Sequence, residues 1–271
     1  MRPSIMNELE LIQTSVLNCR RIDLYVDTPV LTEGQKEAIR RIQQRRLRGE
    51  PLQYILGEAD FMGRVFHVNP HVLIPRPETE ILVETALSLA SPMDARALRV
   101  LDLGTGSGNI AVSCAVLIQN AVVDSVDISP EALDVAAGNA RKHQVEAHIR
   151  FVLQDMRLFL EAAALRDPYD MILANPPYVP SCDMDALPAD VRQEPRLALD
   201  GGEDGVAFLK DILRLGPAAL KPGGCLLMEI GDGQSKFLEK YLENDLRFCE
   251  YEFKKDYCHV PRILVARRSA H

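Results

Sequence analysis

The 271-residue sequence lacks several features that would each assign it to a familiar class of protein. Its six cysteines form no C-x-x-C pair, which argues against a zinc knuckle and against a dithiol redox motif. No apolar run reaches the length of about 18 residues that a membrane-spanning helix needs, and the start shows no basic segment followed by an apolar one. We therefore expect a cytoplasmic protein that does not enter membranes, with no metal site.

Positive charge is the minority charge in this chain. The 31 Lys and Arg residues are outnumbered by 39 Asp and Glu residues, which gives a formal net charge of -8. This balance argues against a broad basic surface, so we expect no stable nucleic-acid binding, although a local basic patch is compatible with it. The apolar content of 47% is ordinary for a soluble globular protein, which we expect to be a monomer.

Residues 1–52 predict a small helical domain. Apolar residues recur at steps of three and four between residues 4 and 48, and Thr32 with Gln35 predicts a capping box at the start of the second helix. The charges of that helix form either a solvated face or a docking surface for an acidic partner such as RNA or a ribosome-associated protein. The basic residues concerned are Lys36, Arg40, Arg41, Arg45, Arg46 and Arg48.

The rest of the chain predicts a connector and a larger α/β domain. Residues 53–75 contain two short β-patterns around a glycine, which predict a hairpin. Residues 76–271 form the main domain, whose first helix carries Pro77 in its first turn. From Arg99 onwards strands and helices alternate, which predicts a Rossmann-like fold with a mainly parallel sheet.

A short apolar strand, Met171–Ala174, stops abruptly at Asn-Pro-Pro-Tyr. Proline lacks an N–H donor and cannot continue a sheet, and the carboxyl end of a strand in an open α/β sheet is where ligands bind. The Asn175 Oδ1 atom and the Pro176 carbonyl can accept the two hydrogens of a planar NH2 group, and the Tyr178 ring can pack on its plane. We expect this loop, with Pro177, to bind the substrate, unless the prolines merely end a strand.

A glycine-rich turn follows the first strand of the α/β domain and allows a ligand to approach the backbone. Its third glycine falls one place earlier than in the G-x-G-x-x-G dinucleotide fingerprint, so the spacing favours another adenosyl ligand over a pyrophosphate. Asp127 ends the second strand and can accept from ribose hydroxyls. Asp155 ends the third and can accept from an adenine amino group, with Met156 beside the base. The residues of the turn are Gly104, Thr105, Gly106, Ser107 and Gly108.

With these motifs in this order, the sequence resembles class I S-adenosylmethionine-dependent methyltransferases that modify planar amino groups. It resembles more closely the HemK/PrmC family of release-factor glutamine N5-methyltransferases, from about Arg46 to Arg262. The blocks that carry this resemblance are Gly49–Gly57, Leu73–Glu80, Leu101–Gly108, Asn175–Tyr178, Glu194–Leu199 and Gly202–Gly205. One departure from the family's pattern is the absence of a glycine between Asp256 and Arg262, so the resemblance does not predict the conformation of this turn.

The resemblance implies S-adenosylmethionine as cofactor and the glutamine of the Gly-Gly-Gln motif in class I peptide chain release factors as substrate. It also implies that Arg76 and Pro77 border the cofactor pocket, and we expect Asn175 to contact the cofactor as well as the substrate. The catalytic residues expected are Asn175, Pro176 and Tyr178, which would orient the amide nitrogen and favour charge developing on it.

Three other functions remain open from the residues. A DNA or RNA adenine N6-methyltransferase would also use a planar amino group in such a pocket, but the net charge disfavours it. A non-catalytic S-adenosylmethionine-binding module would have no need of the intact Asn-Pro-Pro-Tyr. A nicotinamide oxidoreductase is disfavoured by the glycine spacing.

Overall fold

The computed structural model describes residues 7–26, 30–91, 97–163 and 167–270. The described part of the N-terminal segment is helical, and its helices share a small core of Ile12, Ile39 and Leu52. The predicted capping box of Thr32 and Gln35 is confirmed. The predicted start near residue 4 lies outside the described residues. The helices are α1 (Glu8–Leu17), α2 (Asp23–Val26), α3 (Glu33–Leu47) and α4 (Leu52–Leu56).

Four of the six basic side chains named above, all on α3, form ion pairs with acidic residues. Arg46 contacts both Glu8 of α1 and Asp190, a residue of the long loop that follows Asn-Pro-Pro-Tyr. The other pairs are Lys36–Glu33, Arg40–Glu37 and Arg45–Glu50. Part of the positive charge is therefore neutralised within the chain, and docking of a partner on this helix stays a prediction.

A two-stranded antiparallel hairpin follows α4, as predicted. Its strands are β1 (Glu58–Phe61) and β2 (Arg64–His67). Phe61 and Phe66 bury their rings against the large domain, with centroids 6.0 Å apart in an edge-to-face arrangement. The Met62 N–H donates to Glu80 Oε1 over 2.7 Å, which fixes the hairpin to the helix that follows.

Seven strands in the described residues form one mixed sheet, in the order β5-β4-β3-β6-β7-β9-β8. The first five of that order are parallel and β9 is antiparallel to both of its neighbours, so the predicted Rossmann-like α/β fold is confirmed. The strands are β3 (Leu98–Leu103), β4 (Ala121–Asp127), β5 (Ile149–Leu153), β6 (Tyr169–Ala174), β7 (Leu220–Glu229), β8 (Phe248–Lys255) and β9 (Pro261–Arg268).

Helices cover both faces of this sheet because its central strands are apolar on both sides. On β6, Met171 and Leu173 pack into the core on one face, whereas Ile172 and Ala174 pack into the core on the other. Burying each large aliphatic side chain contributes about 1.5–3 kcal/mol. The helices are α5 (Pro77–Ala90), α6 (Asn109–Leu117), α7 (Pro130–Lys142), α8 (Met156–Ala163), α9 (Ala207–Ala219) and α10 (Ser235–Leu242).

Three details differ from the sequence-based expectations. Helices α4 and α8 were not predicted, because each is short and its apolar face spans barely two turns. The segment Lys221-Pro-Gly-Gly224 has a sequence typical of a turn, but it lies inside β7 as an irregular stretch, since Leu220 pairs with Tyr169 and Cys225 pairs with Met171. Gly224 is required there, because an added Cβ would lie 3.0 Å from the Asp170 carbonyl oxygen.

The long loop between β6 and α9 is ordered by short 3-10 turns and by contacts with Asn-Pro-Pro-Tyr. Val179 and Asp200 pair through their backbones in an isolated parallel β-bridge. Gly201 and Gly205 lie against the Tyr178 backbone so closely that an added Cβ would fall 2.7 Å or less from its atoms. The loop is thereby fixed beside the carboxyl end of β6.

Candidate active site

A cavity of about 430 Å³ opens at the carboxyl ends of β3, β4, β5 and β6. This volume lies within the range of small-molecule sites. It brings together most of the residues that the sequence analysis assigned to the cofactor and substrate. Those that line it are Arg76, Gly104, Thr105, Gly106, Ser107, Asp127, Asp155, Met156, Asn175 and Pro177. The predicted site residues outside this lining are Pro77, Gly108, Pro176 and Tyr178. Each is adjacent in sequence to a residue that lines the cavity.

The glycine turn meets the cavity through its backbone. Gly104 and Gly106 have positive φ angles of 73° and 53°, a conformation that glycine adopts without strain. An added Cβ at Gly104 would lie 3.4 Å from Met156 Cε and 4.0 Å from the Asn175 carbonyl oxygen. Glycine at 104 thus keeps open the space between the predicted cofactor and substrate residues.

Gly108 has a packing role. It begins α6 with a φ of 78°, and an added Cβ would lie 3.0 Å from Ala136 Cβ on α7. The close approach of these two helices therefore depends on glycine at this position. Its assignment to the cofactor rests on the motif alone and stays a prediction.

Asp127 orders the glycine turn from the end of β4. Its Oδ2 atom accepts from the Gly106 N–H over 2.9 Å, and its Oδ1 atom accepts from the Ser129 N–H over 2.9 Å. Burial raises the pKa of this carboxyl, while these N–H donors act in the opposite direction. A carboxylate with partners on both oxygens is held rigidly beside the cavity, where it can accept from a diol.

A buried carboxyl, Asp102, supports the same turn from below. The Thr105 hydroxyl donates to Asp102 Oδ2 over 2.6 Å, and the Ser125 hydroxyl donates to Thr105 Oγ1 over 2.6 Å. Burial raises the pKa of Asp102 to about 7. Its Oδ1 atom has no hydrogen-bond partner within the described chain.

Asp155 lies at the start of α8, where its Oδ1 atom accepts from the Arg157 N–H over 2.7 Å. It therefore stabilises the helix terminus and also lines the cavity. Phe208 of α9 and Gln154 line the same region, and neither was predicted. An aromatic ring on α9 could not be assigned to the cavity from sequence, because α9 follows the site by about thirty residues.

Asn175 has one end of its amide committed to the protein. Its Nδ2 atom donates to Thr79 Oγ1 over 3.1 Å, whereas its Oδ1 atom is buried and has no hydrogen-bond partner among the described residues. The Thr79 hydroxyl donates in turn to Glu229 Oε2 over 2.6 Å. The Tyr178 hydroxyl donates to Glu229 Oε1 over 3.2 Å.

Thr79 and Glu229 are functional candidates that the sequence analysis missed. Thr79 belongs to the block of residues 73–80, but no role was assigned to it. Glu229 ends the apolar strand β7 and is 1% exposed. A lone carboxyl at the end of such a strand is costly to bury unless it is hydrogen-bonded, and that signal could have found it.

Arg76 lines the cavity while its guanidinium pairs with Glu194 of the long loop. Glu194 also accepts from the Ile74 N–H over 2.9 Å. Burial raises the pKa of Glu194 and the Arg76 charge opposes that rise. The pair fastens Pro195, Leu197 and Ala198 of the loop over the cavity as an apolar wall.

Comparisons with known proteins identify the family and the fold of this chain. Residues 94–259 match a model described as a methyltransferase domain, and residues 3–57 match one described as the PrmC N-terminal domain. A solved S-adenosylmethionine-dependent methyltransferase from Agrobacterium tumefaciens shares the fold, with a TM-score of 0.53 and 19% identity over 79% of this chain and 70% of that one. The match over residues 94–259 thus defines an enzyme, a methyltransferase.

Two relatives narrow this class. The release factor glutamine methyltransferase of Geobacter sulfurreducens is 43% identical over 84% of this chain and 78% of its own length. That of Koribacter versatilis is 40% identical over 98% of this chain and 92% of its own. The chain belongs to the release factor glutamine methyltransferase family.

No helix in the described ranges has both the length and the apolar character to cross a membrane. The division into residues 1–52, 53–75 and 76–271 stays a prediction, as does the monomeric state.

Proposed function

We propose that this enzyme methylates the side-chain amide nitrogen, N5, of the glutamine in the Gly-Gly-Gln motif of class I peptide chain release factors, and so modulates translation termination. The observation that carries the proposal is the Asn175 amide, whose Oδ1 atom is buried without a partner in the described chain while its Nδ2 atom is engaged. A buried acceptor of this kind is costly unless a ligand donates to it. The names of the relatives support glutamine as the ligand.

An amide nitrogen is a poor nucleophile because its lone pair is delocalised into the carbonyl. Asn175 Oδ1 accepts one N–H of the substrate amide and the Pro176 carbonyl accepts the other, which orients the nitrogen and favours positive charge on it. Orientation of this kind contributes on the order of 7–11 kcal/mol in the best cases. Tyr178 fixes the enzyme's own substrate-binding loop, Asn175–Tyr178, because its hydroxyl donates to Glu229.

The residues around the glycine turn fit S-adenosylmethionine, which supplies an electrophilic methyl group on its sulfonium. Gly104 and Gly106 would admit the ligand against the backbone, and Asp127 would accept from the ribose hydroxyls. Asp155 and Met156 would border the adenine. A strong base is unnecessary, because the nitrogen becomes acidic once it is methylated and loses its proton afterwards.

Mass spectrometry of a purified class I release factor, after incubation with the enzyme and S-adenosylmethionine, tests this function. We expect one added methyl group, located by peptide mapping on the Gly-Gly-Gln glutamine. A release factor with that glutamine replaced by glutamate serves as the matched substrate control and should gain none. Methyl incorporation into duplex DNA or RNA, with none into the release factor, would overturn the proposal in favour of an adenine N6-methyltransferase.

A further inference from the structure

Three side chains that are distant in sequence form a continuous series of hydrogen bonds next to the predicted substrate-binding loop, Asn175–Tyr178. It runs from Asn175 after β6, through Thr79 on α5, to Glu229 at the end of β7, over 3.1 Å and 2.6 Å. Thr79 and Glu229 are each 1% exposed. Water therefore does not compete for these bonds.

The chemistry of the three groups determines which of them donates and which accepts in each of these hydrogen bonds. A carboxylate can only accept, so the Thr79 hydroxyl hydrogen is directed to Glu229. The Thr79 oxygen is then left as an acceptor, and the Asn175 NH2 group is the end of the amide that can donate to it. The amide is consequently held with Oδ1 as its free end.

The flipped amide is disfavoured by the same bonds. Turning Asn175 by 180° would place Oδ1 against the Thr79 oxygen, and the hydroxyl could donate to it only by leaving Glu229. A buried carboxylate that loses a hydrogen-bond donor is destabilised. The flipped amide would also present N–H donors to the N–H groups of a substrate amide.

We propose that Thr79 and Glu229 are positioning residues that fix the orientation of the Asn175 amide and so select a substrate group that donates N–H. This inference rests on the proposed function, because it assigns to Asn175 the role of acceptor for the glutamine amide. Thr79 lines the cavity next to Asn175, whereas Glu229 does not belong to that lining, and we assign to both an action on the substrate through Asn175.

The protonation of Glu229 supplies a second readout. Burial raises the pKa of Glu229 to about 7, with the Thr79 and Tyr178 hydroxyls opposing the rise. Of the charged groups facing it, Glu78 on α5 raises the pKa and Arg262 on β9 lowers it. A protonated Glu229 can donate to the Thr79 oxygen, which frees the Thr79 hydrogen for Asn175 Oδ1. Acid therefore favours the flipped amide.

Single-turnover methyl transfer to a release factor, at saturating cofactor and substrate, tests the role of Thr79. Thr79→Val keeps the shape and removes the hydroxyl, and we expect the transfer rate to fall about tenfold or more. Thr79→Ser restores the hydroxyl and should recover most of the rate. Thr85→Val is the matched control, since Thr85 lies on the same helix with its hydroxyl bound to the Ile81 carbonyl.

Glu229→Gln tests the direction of the chain. The glutamine side chain does not titrate, and its single oxygen, Oε1, can accept from only one of the two hydroxyls, Thr79 or Tyr178, that donate to Glu229. For the unsubstituted enzyme we expect the transfer rate to fall as pH decreases from about 8 to about 6, because protonation of Glu229 releases the amide. In Glu229→Gln this acid limb should be absent.

The outcomes separate this inference from the proposed function. If the unsubstituted enzyme leaves release factor unmethylated, the proposed function fails. If it methylates normally and Thr79→Val transfers at the same rate as Thr85→Val, the positioning role is wrong. Equal loss in Thr79→Val and Thr79→Ser, or an acid limb that persists in Glu229→Gln, would also overturn it. Cofactor affinity and thermal unfolding, measured for each variant, identify any that is misfolded.

Discussion

The two halves of the cavity are built in different ways. The cofactor half comes from consecutive strand ends, where the Gly104–Gly108 turn contacts Asp127 through the Gly106 N–H. The acceptor half depends on side chains that are far apart in sequence. Asn175 and Thr79 are separated by 96 positions, and Thr79 and Glu229 by 150.

This difference teaches which changes should affect binding and which should affect chemistry. The cofactor half is set by local backbone conformation, so its failure should appear as weaker cofactor binding or lower stability. The acceptor half is set by the direction of a few hydrogen bonds, so its failure should appear in the rate of methyl transfer. Substitutions in each half can break or sharpen this distinction.

The largest effect is expected from Asn175→Ala. It removes the acceptor for the substrate amide, and we expect the single-turnover rate to fall about 100- to 1,000-fold, a loss comparable with removal of one oriented catalytic group. The dissociation constant of S-adenosylmethionine, measured by calorimetry, should change little. A tritiated-methyl assay showing normal transfer would contradict this role for Asn175.

A smaller effect, of the opposite kind, is expected from Asp127→Ala. The variant loses the acceptors for the Gly106 N–H and the Ser129 N–H as well as those for the ribose. We expect the dissociation constant of S-adenosylmethionine to rise about 10- to 100-fold, since hydrogen bonds to a charged group contribute about 1.5–3 kcal/mol. At saturating cofactor the transfer rate should recover. A rate that stays low at saturation would show that the two halves are not separable.

The smallest effect should follow from Gly108→Ala, measured by chemical unfolding without cofactor. The alanine must adopt a positive φ, and its methyl group would lie 3.0 Å from Ala136 Cβ. We therefore expect the free energy of unfolding to fall by about 1–3 kcal/mol. Gly106→Ala is the matched control: an added Cβ there meets no described atom within 4 Å, and it should cost less. Equal losses would remove the packing role assigned to Gly108.

Much of the cofactor half could be predicted from sequence because its determinants are local. A strand followed by closely spaced glycines, and an acidic residue at the end of the next strand, are visible in short windows. The start of α7 also has local determinants, since Ser129 caps it and Pro130 occupies its first position. The parallel sheet then places these strand ends side by side.

The acceptor half could be predicted only in part. Asn175 was assigned because prolines stop its strand, but its orientation depends on Thr79 and Glu229, which no local pattern connects. The same limit applies to the order of the last strands, where β9 inserts between β7 and β8. Sequence shows that these strands exist, whereas their order is set by packing across the whole sheet.

A double-mutant cycle on Asn175→Ala and Thr79→Val tests most directly the claim that the acceptor is an oriented amide. The measured quantity is the single-turnover transfer rate to a release factor at saturating cofactor. If Thr79 acts through Asn175, Thr79→Val should slow the unsubstituted enzyme about tenfold or more and leave the rate of Asn175→Ala almost unchanged. Losses that simply multiply in the double variant would contradict the account.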